Sequence, residues 1–257
     1  SLTEPGAGSD ISAIKTLAVR KDAGFVLNGS KAWVTNGKQA GAYILFAKSE
    51  MESGRMKLSA FVVDGDTPGL RVEKVEQKMG LNASPTTDLV LEDCEIPGKN
   101  LLGQEGMGAS IALQCLDCSR IGIAAQSVGL AQRALDEALD YSRQREAFGH
   151  PLAEIQAVQF MLADIATLTD ASRLLTYRAA TLYDGGRPYG KEAAMAKLFA
   201  SEAANKIAYL ALQIHGGYGY SREFMIEQLY RDARVLSLYE GTSEIQRLVI
   251  SRYLLKD

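Results

Sequence analysis

The feature that most constrains this chain is a change of texture near Gly108. From about Lys15 to Leu101, short runs rich in β-branched and aromatic residues alternate with the turn dipeptides Asn28-Gly29, Asn36-Gly37, Pro68-Gly69 and Pro97-Gly98. Beyond Gly108 the only prolines are Pro151 and Pro188, and apolar residues recur at intervals of three and four. A period of two buries one face of a strand, whereas a period of 3.6 buries one stripe of a helix, so the two halves cannot share one architecture.

The first half predicts strands over 16–20, 25–27, 42–48, 58–64, 70–75 and 88–96, with turns spaced as in an antiparallel sandwich or barrel rather than βαβ units. In the second half, three apolar stripes stand out: Ile155, Val158, Leu162, Ile165 and Leu168; Ile207, Leu210 and Ile214; and Met225, Leu229, Ala233 and Leu236. Helices are expected near 108–144, 153–184, 190–214, 224–236 and 243–256. Asp184-Gly185-Gly186 and Gly216-Gly217 stand where helices should stop, and Ser243 with Gln246 predicts a capping box opening the last helix. The expected fold class is α+β: an antiparallel β barrel or sandwich over 1–102, followed by an all-α up-down helix bundle over 103–257.

A length of 257 residues with 47% hydrophobic content is enough for two cores and argues against disorder. Acidic residues number 31 against 28 basic ones, and a net charge of -3 offers no electrostatic footprint for a nucleic acid. Cys94, Cys115 and Cys118 are too sparse for a disulfide framework and fit a reducing compartment, either bacterial cytoplasm or mitochondrial matrix. No apolar run reaches the length of a membrane span, and the residues from Ser1 to Asp10 do not read as a secretory signal.

Several segments have chemical promise, each with a plainer reading beside it. Thr3-Glu4-Pro5-Gly6-Ala7-Gly8-Ser9-Asp10 has the composition of a loop whose backbone NH groups can approach a polar ligand, yet by composition alone it is a turn. It lacks the third glycine of a dinucleotide-binding fingerprint, so a Rossmann nicotinamide site is not expected. Trp33, the lone tryptophan, reads unaided as a core or inter-domain residue. Cys115 and Cys118 form a C-x-x-C without a second pair, so a zinc site is not expected, and Cys115 is expected in the core. In Tyr239-Glu240-Gly241-Thr242 a carboxylate sits between an aromatic residue and a glycine just ahead of a helix, where a helix dipole alone would favour it. Neither a Ser-His-Asp arrangement nor a helical carboxylate–histidine pair for a metal is signalled.

Together with Arg145-Glu146-Ala147-Phe148-Gly149, Gln213-Ile214-His215-Gly216-Gly217-Tyr218-Gly219 and Tyr230-Arg231-Asp232-Ala233-Arg234, these segments resemble, in order and wording, the acyl-CoA dehydrogenase family over nearly the whole chain. Within it, the short-chain, butyryl-CoA type is the most similar. The resemblance implies an FAD-dependent oxidoreductase of fatty acid β-oxidation. It implies that Thr3, Glu4, Pro5, Gly6, Ala7, Gly8 and Ser9, with Trp33, Val34 and Thr35, hold the isoalloxazine ring, Ser9 also lying near substrate. Arg145, Gln156, Gln213, Ile214, His215, Gly216 and Gly217 take the place of residues that grip the FAD diphosphate and adenosine of a neighbouring subunit, which implies a homo-oligomer, usually a dimer of dimers. Thr242, Ser243 and Glu244 would open the last helix beside the cofactor. Asp117, Cys118, Ser119 and Arg120 would be CoA-side contacts, and Tyr239 and Gly241 would flank the substrate.

Glu240 is the implied catalytic base. A proton next to a thioester is weakly acidic, so its removal needs a carboxylate within hydrogen-bond reach, and burial strengthens such a base because the charged form loses hydration. In the family the developing oxyanion is met by the backbone NH of this glutamate and a flavin hydroxyl. Other members carry the base next to the position that here is Arg120, but that neighbour is Ser119, which leaves Glu240 as the carboxylate in a family base position. The implied product is a 2-enoyl-CoA, with electrons passing to an electron-transfer flavoprotein. Two alternatives share the fold: a non-catalytic scaffold without flavin, and an acyl-CoA oxidase using oxygen as acceptor. The family also has a helical domain ahead of the point where this sequence begins. The expectation is that a chain lacking it holds FAD weakly and turns over slowly, because uncovered surface admits water to the site.

Overall fold

The computed structural model describes residues 1–256. They form two compact units, Ser1–Cys115 and a second from Leu116 onward. The first contains β1 (Leu17–Lys21), β2 (Gly24–Thr35), β3 (Ala42–Glu50), β4 (Met56–Asp64), β5 (Leu70–Val75), β6 (Thr86–Pro97) and β7 (Leu101–Leu102). They pair as one sheet in the order β5-β6-β2-β1-β3-β4-β7, antiparallel except where β1 meets β3.

This sheet is strongly curled. The rings of Phe25 on β2 and Phe61 on β4 meet edge to face at 5.0 Å, although β1 and β3 stand between those strands. Strands spaced about 4.8 Å apart would hold them roughly 14 Å apart in a flat sheet. The concave face closes on a core that includes Leu27, Leu45, Val63, Leu89 and Ile96. On the opposite face Phe46, Leu58 and Ala60 pack against Ala7, Ile14 and Ala112. The centres of β3 and β4 are therefore covered on both sides, and their burial runs on without alternation.

Asn28-Gly29 does not turn the chain, as the dipeptide predicts; β2 continues through it as a bulge. Asn28 and Asp93 satisfy one another across the irregularity: the Asn28 amide donates to Asp93 Oδ1 at 3.1 Å, and the Asp93 NH donates to Asn28 Oδ1 at 2.8 Å. A second register shift lies between Lys31 and Val34, and there Trp33 takes a left-handed φ of 59°. This turns its indole outward to 60% exposure, so Trp33 is not a residue of the β core.

The helices are α1 (Gly108–Gln144), α2 (Gln156–Asp184), α3 (Gly190–His215), α4 (Met225–Ala233) and α5 (Ser243–Leu254). Between α1 and α2 lies a small hairpin, β8 (Glu146–Ala147) with β9 (His150–Pro151). α3 is central to the second unit because its buried face is mostly alanine, which lets α2, α4 and α5 approach closely. Ile165, Ile207 and Ile226 fill the spaces between them, each worth about 1.5–3 kcal/mol of burial. α3 stops where Gly216 takes a positive φ of 58°.

Two local expectations are corrected. The cap of α5 is Thr242, whose side chain accepts from the Ile245 NH, while Ser243 is the first helical residue with a buried hydroxyl. Cys115 is exposed instead of lying in the core, because the inward line of α1 passes through Ala112 and Leu116.

Candidate active site

In the first unit the 3–9 loop is fastened by Glu4. Its carboxylate accepts from the Lys15 NH at 2.6 Å, the Thr16 NH at 3.0 Å, the Thr16 hydroxyl at 2.5 Å and the Lys31 ammonium at 2.8 Å. Burial pushes this carboxyl up, but the donors from Lys31, Thr16 and Lys15 outweigh it and hold it below the usual range. Burial lowers Lys31 in turn, against the pull of Glu4. Glu4 and Ala7 exchange backbone hydrogen bonds across Pro5-Gly6, and the Ala32 NH donates to the Thr3 carbonyl at 2.9 Å. The loop therefore lies along β2 one residue before Trp33.

Glu4 and Ala7 thus face inward, while Pro5, Gly6, Gly8 and Ser9 face outward. A Cβ on Gly6 or Gly8 would meet nothing within 4 Å, so neighbouring atoms of the chain do not demand these glycines. Val34 is a core residue and Thr35 is exposed beside Trp33. An outward aromatic residue in a costly backbone conformation, next to a loop with open space on its glycines, fits a flat polar ring system.

In the second unit Glu240 and Gly241 stand at successive positive φ values, 53° and 89°. The half-buried Glu240 accepts a 2.7 Å hydrogen bond on Oε2 from the Ser119 hydroxyl of α1. The Gln246 amide of α5 donates to the carbonyls of Glu240 and Gly241 at 3.2 and 2.8 Å, and Lys197 of α3 donates to the Gly241 carbonyl at 2.7 Å. The Tyr239 hydroxyl donates to Gln126 at 2.5 Å. Burial, reinforced by the Glu240 charge and opposed by that hydrogen bond, pushes Tyr239 up to about 12. Three helices therefore converge on a single turn that presents a carboxylate.

Of the four residues from Asp117 to Arg120, Ser119 is engaged with Glu240 and Arg120 is buried with its guanidinium on Asp117. Cys118 is exposed and Asp117 half-buried. Among the described residues, the buried atoms Arg120 Nε, Ser243 Oγ and Gln246 Oε1 have no hydrogen-bond partner. Thr242 caps α5, and Glu244 is exposed in its first turn.

At the other end of α3, a surface hollow of about 540 Å³ is lined by Arg145, Gly216, Gly217 and Tyr218, among others. The Arg145 guanidinium lies 5.2 Å from the Tyr218 ring centroid. His215 lines the hollow, but its ring stacks on Tyr141 at 4.2 Å, its Nδ1 is 2.8 Å from the Ala211 carbonyl, and burial holds its pKa below 6.5. Ile214 is likewise inward, whereas Gln213 and Gln156 are exposed outside the lining.

Sequence reasoning missed Lys197 and Gln126, and it read Gln246 as half of a capping box with Ser243, whereas its amide holds the carbonyls of Glu240 and Gly241. Lys197 had a legible signal, a cation among Ala193, Ala196, Ala200 and Ala204 on one helical stripe. Gln126 had none, being an ordinary exposed polar residue on α1.

A curled, mostly antiparallel sheet unit joined to a helical unit with a carboxylate-bearing turn defines the class, and comparison with known proteins identifies it. Residues 1–94 match the acyl-CoA dehydrogenase middle domain, and residues 106–255 match the acyl-CoA dehydrogenase C-terminal domain. The chain belongs to the acyl-CoA dehydrogenase family. It is 52% identical over 256 residues to the mitochondrial short-chain specific acyl-CoA dehydrogenase of Rattus norvegicus, covering 100% of this chain and 62% of that protein. The butyryl-CoA dehydrogenase structure from Megasphaera elsdenii superimposes with a TM-score of 0.96 at 44% identity, over 99% of this chain and 67% of that one. A chain in a structure of the electron transferring flavoprotein of Acidaminococcus fermentans, described with flavin-based electron bifurcation, gives a TM-score of 0.97 at 48% identity, over 100% and 67%. The chain thus spans about two thirds of the length of these relatives.

Proposed function

We propose that this chain carries the flavin-binding and proton-abstracting parts of an FAD-dependent acyl-CoA dehydrogenase that converts a short-chain acyl-CoA to its 2-enoyl-CoA. The observation that carries this reading is the Glu240 turn. A carboxylate is held in an uncommon backbone conformation by donors from α1, α3 and α5, an arrangement of the kind that persists where a group must be aimed.

Glu240 takes the proton α to the thioester, and its own backbone NH serves the carbonyl oxygen as charge develops there. FAD, when bound, supplies the acceptor for the β hydride and the route for electrons onward. Pro5, Gly6, Gly8, Ser9, Trp33 and Thr35 would hold its ring, Arg145, Gly216 and Gly217 its diphosphate and adenosine ends across a subunit contact, and Thr242 to Glu244 other polar atoms. Tyr239, Gly241, Cys118 and Arg120 would border the acyl-CoA. The short-chain preference and the electron-transfer flavoprotein as acceptor rest on the relatives' names.

An anaerobic titration tests the reading. Protein purified with FAD is yellow and bleaches on addition of butyryl-CoA if it is correct. A colourless protein that refuses FAD would favour a scaffold, and peroxide formed without an acceptor protein would favour an oxidase.

A further inference from the structure

The buried face of α3 is made almost wholly of small residues, among them Ala193, Ala196, Ala200 and Ala204, and Lys197 sits on that face with no exposed surface. Burying an ammonium is costly, and methionine would fill the same space without that cost. The Lys197 ammonium is bonded to a neutral acceptor, the Gly241 carbonyl, at 2.7 Å. Gln246 donates to the same oxygen at 2.8 Å and to the Glu240 carbonyl at 3.2 Å. The two carbonyls that follow the Glu240 side chain are thereby pinned from two helices. Glu240 at a φ of 53° is a conformation that a glutamate keeps only where its surroundings fix it.

We infer that Lys197 is a positioning residue for Glu240: together with Gln246 it locks the turn from which the carboxylate is aimed. The inference rests on the proposed function and adds to it the group that sets the geometry of the base. A space-filling role predicts a different outcome, because a neutral side chain of the same length would then serve as well. The charged neighbours of Lys197 are Glu240 and Glu244 beside and on α5, Arg120 on α1 and Glu202 on α3. Burial brings Lys197 down to about 8 and Arg120 acts in the same direction, while the three glutamates oppose them.

The test is Lys197→Met in the FAD-loaded protein, measuring anaerobic bleaching by butyryl-CoA and the wash-in of solvent deuterium at its α carbon. A kcat lower by about 10- to 100-fold, with KM held within about twofold and deuterium exchange slowed in step, is the expected result. Bound FAD and the circular dichroism spectrum should match the parent. A folded Lys197→Met with the parent's kcat overturns the inference, and so does a loss confined to KM. If Lys197→Met does not fold, Lys197→Gln is read by the same criteria. Glu240→Gln run alongside separates the two claims: exchange surviving in that variant removes the proposed function itself, whereas an inert Glu240→Gln beside an unaffected Lys197→Met removes only the positioning role.

Discussion

The Ser119 hydroxyl donates a 2.7 Å hydrogen bond to Glu240 Oε2 across 121 residues of chain. It ties α1 to the turn ahead of α5 and fixes which way the carboxylate points. Ser119→Ala should lower kcat roughly 3- to 30-fold with KM little changed, since a hydrogen bond to a charged group contributes a few kcal/mol at most. Ser119→Thr keeps the hydroxyl and should recover most of the rate. Steady-state kinetics on the two variants check this; equal losses in both would show that packing, not the hydroxyl, matters.

Glu4 makes the 3–9 loop sensitive to acid. Its folded pKa lies below the usual 4.5, so the stability it contributes is present above that value and is lost as the pH falls through the folded value. Melting temperature measured between about pH 3 and 6 should therefore fall more steeply for the parent than for Glu4→Gln. Glu4→Ala, which leaves the fully buried Lys31 without its carboxylate, should cost about 3–5 kcal/mol at neutral pH and release FAD. Parallel melting curves of parent and Glu4→Gln through the acid range would contradict this account of the loop.

Gly241 is required on two grounds. Its φ of 89° strains any side chain, and a Cβ there would stand 2.7 Å from the Gln246 amide nitrogen. Gly241→Ala should therefore cost about 1–3 kcal/mol in denaturant unfolding and also slow bleaching, because relief of the clash displaces the Gln246 contact to the Glu240 carbonyl. A variant as stable and as fast as the parent would show that the turn tolerates more freedom than its contacts imply.

The division into strands and helices was legible because each half carries its own period, and the helix ends at Gly186 and Gly216 were marked by glycine. The continuation of β2 through Asn28-Gly29 was not, since a turn dipeptide and a bulge have the same local composition, and only the distant Asp93 decides between them. Nor was the outward turn of Trp33, which depends on register against β6. At the site, Glu240 could be singled out from its motif, but the partners that aim it, Ser119, Lys197 and Gln246, sit on three helices far apart in sequence. The true cap, Thr242, was one residue from the expected Ser243, because the chain reaches α5 through two left-handed residues that no propensity foretells.

In the proposed reaction the Glu240 carboxylate removes the α proton. Glu240→Gln keeps the size and the backbone contacts of the turn but has no basic oxygen pair, so the most direct measurement is anaerobic flavin bleaching in this variant with a panel of acyl-CoA esters. FAD should be retained at the parent's stoichiometry, and bleaching should be slowed by at least about a thousandfold with every ester. Bleaching at the parent's rate with any one of them would contradict this role of Glu240.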